Sequence, residues 1–75
     1  MKTTESTPEV AIAPHGRLNV QVQSGNIMLH LKKTDGIEMT YVLNGPGAYF
    51  NEDVSDYVSY QIIVNELSDY DIELA

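Results

Sequence analysis

The chain has 75 residues, of which 11 are Asp or Glu and four are Lys or Arg, giving a formal net charge of −7. This length leaves room for one domain. Because the excess of carboxylates repels phosphate, we expect neither nucleic acid nor an anionic membrane as a partner. Cysteine is absent, which excludes disulfides and thiolate-bound metals. Small domains usually need such a staple or a partner, so we predict a homo-oligomer or a subunit docked on another protein.

The charges are distributed unevenly along the chain. Residues 1–33 hold all four basic residues and two acidic ones, whereas residues 34–75 hold nine acidic residues and no Lys or Arg. An acidic surface of this kind suits docking against a basic partner or exposure on the outside of a particle. It is also common in small soluble proteins.

The beginning of the chain is polar and rich in Ser, Thr and Pro over residues 2–9. It has no apolar segment of the signal-peptide type, and no part of the chain approaches 18 consecutive apolar residues. We therefore expect the protein to be made in the cytoplasm and to stay there or in something assembled there. Residues 1–16 are predicted to form an extended arm that is disordered unless a partner holds it, and residues 17–75 to form the folded domain.

Apolar residues recur at every second position from Val10 and Ile12 onward, which is the period of a half-buried strand. Three such segments follow: 18–23, 27–32 and 37–43. Residues 24–26 separate the first two, and Asp35-Gly36, a pair that favours hairpin turns, precedes the third. Residues 17–43 are therefore predicted to form a three-stranded meander.

Two further alternating segments lie in the acidic half, at 58–64 and 70–74, and the turn 65–69 is predicted to join them in a closing hairpin. Pro46 between two glycines breaks the sheet before them, and residues 51–56 read as a polar loop. No window has the periodicity of a helix. The predicted fold is all-β: a small antiparallel β-sandwich or partly open barrel of about six to seven short strands, with an extended N-terminal arm.

Val42 and Ile63 interrupt the alternation by placing an apolar residue on the polar face of a strand. Such positions mark either a strand that is covered on both faces or a patch that meets a partner.

No residue spacing is typical of a catalytic or metal site. The acidic loop 51–56 has enough oxygen ligands for calcium but lacks the spacing of an EF-hand. His15 and His30 stand apart from any other metal ligand in the sequence. Asp69, Asp71 and Glu73 are predicted to lie on the solvated side of an edge strand. We therefore predict no enzymatic activity, no metal and no cofactor.

Tyr49 and Tyr57 flank the acidic loop and are the aromatic residues that we expect to face outward as a binding surface. The complete set of candidate partner-binding residues is Thr4, Glu5, Pro8, Val10, Ile12, Tyr49, Tyr57 and Ile63.

Residues 57–74, together with the glycine-punctuated segment before them, resemble small β-sandwich proteins of tailed-phage particles over residues 17–74. Fibronectin- and immunoglobulin-like modules share this pattern, but the chain lacks Trp and Cys and is short for either. The phage resemblance implies a decoration, cement or neck and tail component that performs no chemistry and acts by burying surface on its neighbours.

Two functions are consistent with these observations. The first is a non-enzymatic virion structural protein, a capsid decoration or cement subunit assembled in the host cytoplasm. Residues 1–16 would then clamp onto a major capsid protein or another virion protein. The alternative is a small acidic binding module or inhibitor that docks on a basic site of a partner protein.

Overall fold

The computed structural model describes residues 2–65 and 67–75; Met1 of the predicted arm and Glu66 of the predicted turn lie outside them. The described residues form eight strands and no helix. The strands are β1 (Lys2–Thr3), β2 (Val10–Ala11), β3 (Arg17–Ser24), β4 (Asn26–Lys33), β5 (Glu38–Asn44), β6 (Tyr49–Asp53), β7 (Tyr57–Val64) and β8 (Asp69–Leu74). This part of the chain thus contains no helix with the length and apolarity to cross a membrane.

The strands form two four-stranded antiparallel sheets that pack face to face. Sheet A has the order β1-β8-β3-β6, and sheet B has the order β2-β7-β4-β5. The predicted all-β sandwich is therefore confirmed.

Each of four chain segments contributes one strand to each sheet. The segments are 2–11 with β1 and β2, 17–33 with β3 and β4, 38–53 with β5 and β6, and 57–74 with β7 and β8. The segments follow one another in the same order in both sheets. The sandwich is therefore equivalent to one four-stranded antiparallel sheet that has been folded over along a line across its middle.

Gly25 lies at this fold line, between β3 and β4, with a φ of 78° that residues with a side chain rarely adopt. Hydrogen bonds join the corner residues Gly25 and Asn26 to the neighbouring chain segment on each side. The amide of Gly45 donates to the carbonyl of Gly25 at 2.7 Å. The buried Ser68 hydroxyl accepts from the Asn26 amide at 3.0 Å and donates to the Asn26 carbonyl at 2.9 Å. The backbone groups of Gly25 and Asn26 at the corner thus form hydrogen bonds with other parts of the same chain.

The predicted meander over residues 17–43 and the predicted closing hairpin over 57–74 are both wrong. β3 and β4 lie in different sheets, as do β7 and β8, and these segments pair with each other instead. Only β4 and β5 form the expected hairpin. Alternation indicates that a strand is half-buried, but it does not determine whether the turn after the strand returns the chain in the same sheet or bends it into the other sheet.

The inward side chains of both sheets form one core. Its buried apolar members are Ile12, Leu18, Val20, Val22, Ile27, Leu29, Leu31, Leu43, Phe50, Val54, Tyr60, Ile62, Tyr70 and Ile72. Ile12 and Val54 lie in the connections that close the open end of the sandwich, opposite the fold line. Their amides donate to the carbonyls of Val58 at 3.0 Å and of Gly16 at 2.8 Å. The alternation therefore identified most of the core correctly.

The N-terminal arm is extended, and the partner that holds it is this chain's own β7 and β8. β1 pairs with β8 and β2 with β7. Between them, Thr7 exchanges two hydrogen bonds with the backbone of Ile62, both at 2.9 Å, and the Ser6 hydroxyl accepts from the Val64 amide at 2.9 Å. The hydroxyls of Thr7 and Ser6 thus accept hydrogen bonds from β7 amides that the carbonyls of a paired strand would otherwise accept.

Candidate functional site

The outer face of sheet B carries a row of apolar side chains across three neighbouring strands. Met28 of β4 lies opposite Val42 of β5 on one side and opposite Ile63 of β7 on the other. Val42 is 58% exposed, and Met28 and Ile63 are half-buried. We call these three residues the apolar row. Cross-strand neighbours have Cβ atoms ~5 Å apart, so the row forms one continuous apolar strip near the fold line.

Polar residues cover the rest of this face toward the open end of the sandwich. His30 lies between Thr40 and Gln61 in the next row, and its Nδ1 is 2.9 Å from the Thr40 hydroxyl. Lys32 lies opposite Glu38 in the row after that. An apolar strip with a polar margin of this kind is the usual anatomy of a protein-protein contact surface.

The outer face of sheet A is acidic. Asp69, Asp71 and Glu73 alternate with the inward residues of β8, as the sequence predicted. The prediction that β8 is an edge strand is wrong, because β8 lies between β1 and β3. Four carboxylates of β6 and β8 lie on this face, namely Asp53, Asp69, Asp71 and Glu73, whereas Glu52 lies opposite the inward Leu18. The acidic half of the sequence is thus concentrated on one of the two sheets.

The residues predicted for partner binding in the domain lie on three separate parts of the molecule. Tyr49 is on the outer face of sheet A and is 70% exposed. Tyr57 begins β7 at the open end, where it is half-buried and the Lys33 ammonium lies 5.9 Å from its ring centroid. Ile63 belongs to the apolar row of sheet B. The structure therefore does not bring these three residues together.

The candidate residues of the arm fall into an exposed group and a buried group. Thr4, Glu5 and Pro8 are exposed, and the Glu5 carbonyl accepts a hydrogen bond from the Tyr70 hydroxyl. Val10 is half-buried against the core, and Ile12 is only 1% exposed within it. The alternation of Val10 and Ile12 therefore reflects packing on their own chain, which leaves only the first three of these residues facing outward.

The predicted polar loop 51–56 is largely strand, because residues 51–53 belong to β6. The side-chain oxygen of Asn51 accepts from Arg17 Nε at 2.8 Å. Asp53 accepts hydrogen bonds from Ser55, including one from its amide at 2.8 Å, and these bonds hold the pKa of Asp53 below its usual value. Among the described residues, no three His, Asp or Glu side chains are grouped so as to hold a metal ion.

Met28 is the residue of the apolar row that the sequence pattern did not mark. The sequence marks Val42 and Ile63 as apolar residues on polar faces, whereas Met28, which lies between two inward residues of β4, is not among the predicted contact residues. In the sequence, Met28 is a single apolar residue at an outward position. It indicates a surface only when the register places it between Val42 and Ile63. No protein-family model, no curated protein and no solved structure matches this chain.

Proposed function

We propose that this protein is a non-enzymatic structural subunit that attaches to a larger protein assembly through the outer face of sheet B. The observation that carries the proposal is the apolar row of Val42, Met28 and Ile63. Leaving apolar side chains in water on the outside of a sheet forgoes ~25 cal/mol for each Å² that a partner would cover. A continuous strip of them marks a surface that gains free energy by being covered.

We further propose that the assembly is the shell of a tailed-phage particle, on which the chain acts as a decoration or cement protein. The support is the resemblance of residues 17–74 to small β-sandwich proteins of such particles. A second support is that no residue spacing in the sequence is typical of a catalytic or metal site. In this setting the acidic sheet A faces away from the shell. The exposed arm residues Thr4, Glu5 and Pro8 remain available for a neighbouring shell protein.

The test compares two variants that each place one Glu on an outer sheet face. Met28→Glu puts a charge in the middle of the apolar row, and Gln23→Glu puts the same charge on the outer side of β3 in sheet A. Phage particles carrying each variant are purified on density gradients, and the chain is counted by quantitative mass spectrometry. Circular dichroism confirms that both variants keep the β-fold.

We expect Met28→Glu to lower the number of chains on each particle by about tenfold or more. Burying the unpaired carboxylate of the new Glu under a partner costs several kcal/mol, and ~1.4 kcal/mol changes an equilibrium constant tenfold. Gln23→Glu should leave incorporation unchanged. Equal incorporation of Met28→Glu and the unmodified chain, or absence of the chain from purified particles, would refute the proposal.

The acidic face of sheet A favours a second candidate function, a binding module or inhibitor that docks on a basic site of a partner protein. The four outward carboxylates of β6 and β8 supply the complementary charge. In that case the double variant Asp71→Asn/Glu73→Gln would lose the partner and Met28→Glu would keep it. Raising the salt concentration from ~0.05 to ~0.5 M would also weaken the complex, because salt screens exposed charges.

A further inference from the structure

The two sheets present four outer edges, and three of them are protected against pairing with another strand. β1 and β2 have only two residues each. β6 has five residues and ends in two adjacent carboxylates, Glu52 and Asp53. Short strands and charged side chains are the usual means by which an edge avoids unwanted pairing.

β5 is the exception. Its seven residues form the outer edge of sheet B with neither Pro nor Lys, and Glu38 at its first position is its only charge. Its ladder with β4 is regular, without a bulge. Met39 and Val42 are exposed on its two faces, and Ile37 is exposed just before it. A long, regular and apolar edge of this kind is a template for an added strand.

We propose that β5 pairs antiparallel with β5 of a second copy of this chain, joining the two B sheets into one continuous eight-stranded sheet across a twofold axis. This proposal deepens the proposed function by naming one partner, and its biological use rests on that function. A twofold contact requires that the surface of β5 be complementary to itself.

The backbone groups that β5 offers are set by its pairing with β4. The Lys33 amide donates to the Ile37 carbonyl at 2.8 Å, and the Gly45 amide donates to the Gly25 carbonyl at 2.7 Å. These bonds flank the β4-β5 ladder, in which hydrogen-bonded and non-hydrogen-bonded pairs alternate. The residues of β5 that direct their amide and carbonyl groups away from β4 are therefore Glu38, Thr40, Val42 and Asn44.

One register overlaps the whole of β5 with its copy and bonds all four of these residues. It is centred on Tyr41, so that Thr40 lies opposite the partner's Val42 and Glu38 lies opposite the partner's Asn44. On the inner face, Met39 lies opposite the partner's Leu43. No residue faces a like charge in this register. Glu38 faces a neutral Asn, and all other pairs join apolar or neutral side chains, which is an arrangement compatible with stable pairing of neighbouring strands.

The first experiment measures the mass of the intact chain in solution by sedimentation equilibrium. The expected species is a dimer with twice the 8.3 kDa mass of the chain. Thr40→Pro removes one amide that faces the free edge, and it should shift the protein to monomer while circular dichroism stays unchanged. The matched control is Asn51→Pro on β6, the other outer strand of this side, which should leave the dimer intact.

The second experiment fixes the register and does not depend on a proline variant that folds. The chain has no cysteine, so single Cys variants report one contact each. Tyr41→Cys should form an intermolecular disulfide under mild oxidation, because Cα atoms across a non-hydrogen-bonded pair are ~4.5 Å apart. Thr40→Cys should not, because the two copies of residue 40 are offset by two residues along the strands, ~7 Å in that direction alone.

A monomer or a trimer at about 100 µM, a dimer that survives Thr40→Pro, or a faster cross-link at residue 40 than at residue 41 would overturn the proposal. These outcomes are separate from the particle test. A monomer that enters particles overturns only the β5 pairing, and a dimer that is absent from particles overturns only the particle function.

Discussion

Replacing Gly25 by Ala tests whether the fold depends on the corner between β3 and β4. A Cβ atom at this position would meet the Ser68 hydroxyl at less than contact distance, the Leu67 carbonyl oxygen at 2.7 Å and the Ser68 Cα at 2.8 Å. Two of these atoms belong to the backbone of the connection between β7 and β8, and they do not move aside without shifting that connection. The backbone of Gly25 also has a φ of 78°, which disfavours any residue with a side chain.

The expected loss of stability is the sum of these two effects. Placing a non-glycine residue at positive φ costs ~1–2 kcal/mol, and forcing extra volume into packed surroundings costs ~1–3 kcal/mol. We therefore expect Gly25→Ala to lower the free energy of unfolding by about 2–5 kcal/mol. A domain of 75 residues has about 4–11 kcal/mol in total. Since each kcal/mol shifts the melting temperature of such a domain by ~4–8 °C, that temperature should fall by at least ~8 °C.

Two other glycines provide matched controls, measured in parallel by urea and thermal unfolding. Gly36 has a φ of 90° with no atom within 4 Å of the added Cβ. Gly36→Ala should therefore lower the free energy of unfolding only by the ~1–2 kcal/mol that a positive φ costs. Gly16 has open space and no positive φ, so Gly16→Ala should change stability by less than about 1 kcal/mol. If Gly25→Ala costs no more than Gly36→Ala, the inferred packing at the corner is wrong.

Four further predictions follow from the core, the arm and the titrating groups. Leu29→Ala should lower the free energy of unfolding, measured in urea, by about 2–5 kcal/mol because Leu29 is fully buried. The control Ile37→Ala removes an exposed side chain and should lower it by less than ~0.5 kcal/mol. An equally small loss for Leu29→Ala would contradict the inferred core. Tyr70→Phe removes the hydrogen bond to the Glu5 carbonyl; it should cost ~1 kcal/mol and speed hydrogen exchange at the Thr7 and Val64 amides, and unchanged exchange would argue against a docked arm. Hydrogen bonds from Ser55 lower the pKa of Asp53 in the folded state, so its contribution is present at neutral pH and lost as pH falls below about 4. Asp53→Asn should flatten that acid limb of the stability curve. Burial raises the pKa of Tyr60 and Tyr70, so the contribution of these phenols is complete below pH 10 and lost as pH rises through their folded pKa; ultraviolet titration should show them ionising later in the folded than in the unfolded chain.

The sequence determined which side chains of each strand face the core. In β3 the inward residues are Leu18, Val20 and Val22, and in β8 they are Tyr70 and Ile72, as the alternation predicted. The reason is local, because successive side chains of any strand point to opposite faces. The weakest agreement is in β5, where Met39 belongs to the predicted apolar face but remains exposed because β5 is an edge strand.

The tertiary structure decided how the strands pair. Gly25 was expected in a hairpin and instead bends the chain from one sheet into the other. The arm was expected to need a neighbour and instead pairs with β7 and β8. Both outcomes depend on hydrogen bonds between segments that are far apart in the chain, and local periodicity contains no information about them.

The apolar row also depends both on the local sequence and on the pairing of distant strands. The sequence marked Val42 and Ile63 as apolar residues on outward positions, but these residues are separated by a turn, a strand and a loop. Only the register of β4 with β5 and with β7 places Met28 between them and creates a strip. The composition and alternation thus determined an all-β chain with excess apolar residues on its polar faces. Strand register, which distant segments fix together, decided that these residues form one surface.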